Sequence, residues 1–157
     1  LKQIENINKI LLDNKKFPFV LGGEHSLTPG AIRPFVKKFD KLYLLHFDAH
    51  LDTVDTVWDE KWSHASPFIR AIEDGLIDPK RMLSIGIRGP LNSQGDLDFA
   101  REHGVVIVTS EMLRSAEGSV KIERNVRHIV LMLTSSNYTV WMGSFFNRTS
   151  IAGGRIG

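Results

Sequence analysis

No cysteine occurs anywhere in the 157 residues. Disulfides and thiolate metal sites are therefore excluded, which fits a reducing cytoplasm. No apolar run is long enough to span a bilayer, and the opening LKQIENINKILLDNKK has the pattern of an amphipathic polar helix, not of a signal peptide. Basic residues are dispersed and the formal net charge is only +2. No basic block points to nucleic acid, and no basic amphipathic anchor points to a membrane surface. No repeat, low-complexity segment or linker divides the chain, so residues 1–157 read as one domain. Carboxylates run out early. No Asp follows Asp98 and no Glu follows Glu123, so any acidic ligand must come from upstream.

What is present is an ordinary globular composition, 42% hydrophobic and 24% charged, long enough for a sizeable core. Ile4, Ile7, Ile10 and Leu11 fall at helical spacing. FPFVL (17–21) reads as a short buried strand ended by Gly22-Gly23. The stretch 27–39 reads as a helix with Thr28 as N-cap, Pro29 in first position and a kink or delay at Pro34. LYLLHF (42–47) predicts a second strand, apolar on both faces as buried parallel strands are. A helix over 66–75, a strand over 81–88, a helix over 96–104 and a strand over 105–108 follow. Residues 120–133 are expected to be helical, with His128 on its surface, and 138–142 to form a fifth strand. Strands alternating with helices predict an α/β fold with a parallel sheet, whose ligands bind beyond the carboxyl ends of the strands.

Two polar clusters fall directly after strands: GGEHS (22–26) and DAHLD (48–52). They should share one edge of the sheet, side by side. In an extended segment, Asp48, His50 and Asp52 project to the same side. Two carboxylates and an imidazole suit Mn²⁺, Fe²⁺ or Zn²⁺ better than Ca²⁺, which prefers oxygen alone. His25 from the first cluster supplies a fourth donor. A polar loop is the plain alternative for such a stretch. His46, inside the strand and on the side of Asp48 by parity, reads as a satisfied core histidine. A phosphate loop at Gly22-Gly23 is disfavoured, because no lysine follows it.

LGGEHSLT, followed by LLHFDAHLDT, resembles the first two signature motifs of the ureohydrolases, the family of arginase and agmatinase. WSHASPF (62–68) and SIGIRGP (84–90) resemble the agmatinase and guanidinobutyrase branch. The resemblance implies a three-layer α/β/α parallel sheet of the arginase/deacetylase type, here incomplete. It also implies two Mn²⁺ ions bridged by a hydroxide that attacks a guanidinium carbon, releasing urea and an amine. Carried over, His25 and Asp52 bind the first metal, His50 the second, and Asp48 bridges both. His64 would contact substrate or shuttle a proton, and Glu24 would stand behind His25 or cap the next helix. Agmatine is the favoured substrate, which implies a role in polyamine biosynthesis, with guanidinobutyrate next. Homo-oligomers and a cytoplasmic location go with the family.

The family's third motif, a strand ending in D-x-D with D-P soon after, is missing. Its expected place, after NYTV, reads WMGSFFNRTSIAGGRIG, and the segment from about 141 to 157 reads as an atypical, disordered tail. The chain opens on Leu rather than Met and reads as a C-terminally truncated or degraded member. Three protein ligands remain for one ion and two for the other, so one Mn²⁺ should bind moderately or weakly and a second barely. Catalysis should be impaired. The alternative is a non-catalytic metal-binding or interaction remnant of the same fold.

Overall fold

The computed structural model describes residues 1–21, 23–39, 42–89 and 94–114, and the backbone of two later strands at 128–135 and 138–145. Gly22, the segment 120–127 and the tail from 146, including Arg148 and Arg155, lie outside the described residues.

The chain alternates as anticipated through its first two thirds. Helix α1 (Lys2–Asp13) leads to strand β1 (Phe19–Leu21), helix α2 (Thr28–Lys38), strand β2 (Tyr43–Phe47) and helix α3 (Pro67–Glu73). Strand β3 (Met82–Ile87), helix α4 (Gln94–Glu102) and strand β4 (Val106–Thr109) follow, then β5 (His128–Ser135) and β6 (Tyr138–Phe145). The six strands form one sheet in the order β1-β6-β5-β2-β3-β4. β5, β2, β3 and β4 run parallel, whereas β6 runs antiparallel to both of its neighbours.

Several expectations are corrected. His128 and the apolar run after it form strand β5 beside β2, not part of a helix. A continuous apolar run has no period to tell a buried strand from a buried helix, and here the pairing with β2 decides. Residues 141–145, assigned to a disordered tail, belong to β6. Thr28 is the first helical residue of α2 and Leu27 its N-cap, while Pro29 lies in the first turn and Pro34 inside the helix. β2 is also less covered than a fully buried strand: Leu44 and His46 are buried, Tyr43 and Leu45 half-buried, and Phe47 exposed.

α1 turns a different face inward from the one its isoleucines mark. Ile7 and Ile10 are exposed, whereas Asn8 and Leu12 are buried. The buried amide of Asn8 is satisfied because its Nδ2 donates to the carbonyl of Ala31 at 3.0 Å. Glu5 reaches across to α2, 2.8 Å from Lys37 Nζ and 3.5 Å from Arg33, and Arg33 continues to Asp74 after α3 at 3.0 Å. Beneath these pairs, Leu12, Ile32, Phe35, Leu44, Phe68, Ala71 and Met82 pack into one core. Full burial of each large apolar side chain there contributes roughly 1.5–3 kcal/mol. That core anchors α2, α3 and β2, the three elements from which the polar site is built.

Candidate metal centre

Past β1 the chain turns at Gly23, whose φ of +92° is open to glycine at little cost. Glu24 then caps a short 3-10 turn, His25–Leu27, that runs straight into α2. Its carboxylate accepts from the backbone N–H of Ser26 at 3.0 Å and from the Ser26 hydroxyl. Glu24 thus takes the capping alternative, and it bears on His25 by fixing the turn that begins there. His25 is buried, its ring edge-on to Phe68 with centroids 5.5 Å apart.

At the end of β2, His46 is fully buried, and its Nδ1 lies 3.2 Å from Ser84 Oγ, the residue level with it on β3. Its Nε2 points toward the acids, 3.4 Å from Asp48 Oδ2 and 3.9 Å from Asp52 Oδ2. No hydrogen-bond partner meets that nitrogen, or His25 Nε2, among the described residues. His46 is therefore only half satisfied. Burial alone would raise the Asp48 carboxyl. The adjacent His46 imidazole, the backbone N–H of His50 at 2.8 Å and the charge of His25 outweigh burial and hold it below the ordinary carboxylate range. Asp52 adopts a φ of +55° and sets its carboxylate 2.8 Å from His25 Nδ1.

The structure therefore brings His25, Asp48 and Asp52 together and adds His46, which reasoning on motifs left aside. His50 stands at the rim, its side chain about half exposed and its Nδ1 3.4 Å from Asp48 Oδ1. Gly89 makes room for it: a Cβ on Gly89 would lie 2.4 Å from His50 Cδ2. The N–H groups of Arg88 and Gly89 both donate to the carbonyl of Ala49, at 2.9 and 2.7 Å. This close approach gives the glycine of SIGIRGP a role that the sequence alone did not disclose.

A loop hangs from Asp52. It is closed at its neck by Phe68 N–H to the Asp52 carbonyl (3.2 Å) and by Val54 N–H to the Ala65 carbonyl (3.0 Å). His64, Trp58 and Trp62 are exposed on it. Trp58 and Asp59 both have positive φ between the mutually bonded Val57 and Glu60, as in a type I′ turn. Asp55 pairs with the buried guanidinium of Arg70, which also holds Glu73 at 3.0 Å.

The donor set fits a divalent cation. Ligand atoms about 2.1 Å from an ion stand about 3.0 Å apart at right angles and about 3.4 Å apart at the tetrahedral angle. His25, His46 and Asp52 each offer one ligand atom, and the three lie within 4.8 Å of one another, so small side-chain shifts would let them converge on an ion. Two nearby carboxylates in a buried setting require a compensating cation or protons. On the far side of Asp48 the supply stops. β2 lies between two parallel strands, β3 and β5, and on the β5 side the register ends with Leu133 level with Phe47, one residue before Thr134 and Asp48. A third acidic motif would fall at this strand end and not after NYTV, because β6 is antiparallel. Thr134 and Ser135 stand there, and neither is a carboxylic acid.

The profile of the Arginase family matches residues 1–137. The chain belongs to the arginase family. Among curated relatives, proclavaminate amidinohydrolase of Streptomyces clavuligerus is 39% identical over 106 residues, 68% of this chain and 34% of its own length. Guanidinopropionase of Pseudomonas aeruginosa is 39% identical over 112 residues, 71% of this chain and 35% of its own. The solved structure of agmatine ureohydrolase from Thermoplasma volcanium superposes with a TM-score of 0.70 at 26% identity, over 83% of this chain and 43% of that one. The chain thus spans about a third of the length of these curated relatives. Its α/β sheet is an incomplete arginase-type fold. No helix among the described residues is long and apolar enough to cross a membrane.

Proposed function

We propose that the chain carries the metal-binding half of a ureohydrolase centre that cleaves a linear guanidino compound, agmatine favoured, into urea and an amine. The observation that supports this most directly is the meeting of the two family motifs, with His25 Nδ1 2.8 Å from Asp52 Oδ2 and Asp48 alongside. His25, Asp48 and Asp52 would hold one Mn²⁺ ion, and His50 with Asp48 a second. When bound, manganese would supply an activated water at neutral pH by lowering its pKa. Addition of water at the guanidinium carbon and cleavage of the bond to the substituted nitrogen gives urea, and that nitrogen leaves with a proton. His64, exposed on the loop beyond Asp52, would deliver that proton or contact substrate. The Asp48 carboxyl, held low, stays ionised at neutral pH and available to a cation.

A guanidino acid is the second reading for substrate, because two relatives at 39% identity are named guanidino acid hydrolase and guanidinopropionase. Turnover should be impaired, since Thr134 and Ser135 stand where further acids would complete the second ion's ligands. A metal-binding remnant without catalysis is the alternative. The deciding experiment is urea release by the purified chain with Mn²⁺, agmatine and 4-guanidinobutyrate tested in parallel. Slow release favouring agmatine supports the proposal. No release from either at saturating Mn²⁺ leaves the remnant.

A further inference from the structure

We propose that His46 is itself a metal ligand, so that this chain builds a one-ion site on the buried side of Asp48 from His25, His46, Asp52 and Asp48. The inference rests on the metal-dependent reading above, but concerns a residue that reading does not use.

Three observations carry it. His46 is fully buried, and its Nε2 is aimed into the acid cluster without a hydrogen-bond partner among the described residues. A buried polar atom left in that state is unfavourable. At 3.4 Å and 3.9 Å the two carboxylate oxygens are beyond the usual range for an N–H···O bond; the first distance matches the tetrahedral spacing of two ligands sharing an ion, and the second is wider by half an ångström. Second, Ser84 fixes the ring. Its hydroxyl, 3.2 Å from Nδ1, can accept the Nδ1 proton, which frees Nε2 to offer its lone pair to a bound cation. Ligating histidines commonly show this arrangement, one nitrogen on the metal and the other held by a hydrogen bond.

Third, the acid's two oxygens face different neighbours. Asp48 Oδ1 accepts from the His50 backbone and faces the exposed ring of His50, whereas Oδ2 faces His46. The inner side thus has two imidazoles and two carboxylates. The outer side has His50 and one shared acid. β5 contains no Asp or Glu, so the outer side gains no carboxylate from it. Among the inner donors, His25, His46 and Asp52 bring one ligand atom each within 4.8 Å of one another, a set that can hold one ion.

The test uses the full chain with Mn²⁺ alone and counts coordinated imidazoles by electron spin-echo envelope modulation at one ion per chain. Two imidazole couplings are expected. His46→Gln should leave one coupling and weaken Mn²⁺ binding at least tenfold. His50→Ala, at a half-exposed position whose loss spares the core, should leave both couplings and cover the case in which His46→Gln does not fold. One coupling in the unaltered chain, or the loss of one in His50→Ala, would overturn the assignment, as would absence of bound Mn²⁺. Two couplings without urea release would keep His46 as a ligand and sink the hydrolase reading. Urea release with a single coupling would do the reverse.

Discussion

His25 Nδ1 and Asp52 Oδ2 lie 2.8 Å apart, although β1 and β2, the strands that precede them, are not neighbours in the sheet. Three strand spacings, about 14 Å, separate those strands. The 3-10 turn after β1 and the left-handed backbone at Asp52 close that gap. If this contact is the heart of the site, His25→Ala should lower Mn²⁺ affinity by tenfold or more. Titration followed by the free-ion electron paramagnetic resonance signal reads it directly, and an unchanged curve would remove His25 from the ligand set.

Gly89→Ala tests the rim. The new methyl would collide with the His50 ring, which must swing out toward solvent. The tight ion should stay, and any weak second equivalent of Mn²⁺ should disappear. Overpacking of this kind also costs about 1–3 kcal/mol, visible as a lower urea midpoint. Retention of both equivalents would count against a role for His50.

Phe68 supports both buried imidazoles, with ring centroids 5.5 Å from His25 and 4.5 Å from His46. Phe68→Ala should cost about 3–5 kcal/mol and weaken metal binding with it. Phe68→Leu, closer in volume, should cost less than about 1.5 kcal/mol and keep most of the affinity. Equal effects of the two variants on stability and affinity would mean the ring does not set the imidazoles.

Glu5 gives a pH prediction. Its hydrogen bond to Lys37, with the charges of Lys37 and Arg33, outweighs a small opposing effect of burial and holds its carboxyl below the ordinary value. A carboxylate lowered by folding stabilises fully above its unfolded pKa, and that contribution fades as pH falls through the folded value. The α1–α2 pairing should therefore weaken only in acid, below about pH 4. Being near the surface, it is worth at most about 1 kcal/mol and should shrink in salt. Glu5→Gln should abolish this acid-range difference in urea midpoint. A variant that tracked the parent chain from pH 6 down to pH 3 would show the pair contributes nothing.

The sequence made β1 to β4 and their helices legible because strands and helices there are short, bounded by glycine or proline, and separated by polar turns. β5 was not legible, since a continuous apolar run acquires its identity from β2 beside it. The inward face of α1 was hidden because an asparagine lies in the core, satisfied by a carbonyl that is distant in sequence. Of the site, His25, Asp48 and Asp52 could be read from spacing after two strands. Ser84, Phe68, Gly89 and Arg70 could not, because each acts on a partner that only tertiary packing brings near. His46 was visible by parity, but the open nitrogen that gives it meaning was not.

The insertion of β5 and β6 between the two motif strands has a consequence for assembly. β1 and β2 cannot be held at their final separation until residues 128–145 have slotted between them. The first half of the chain carries nearly every donor, yet its geometry waits on a hairpin made about eighty residues later. Such long-range pairing slows folding. During synthesis or refolding, metal affinity should therefore emerge late, as a step after helical signal has already appeared, and a bound ion would report that the last strands have arrived.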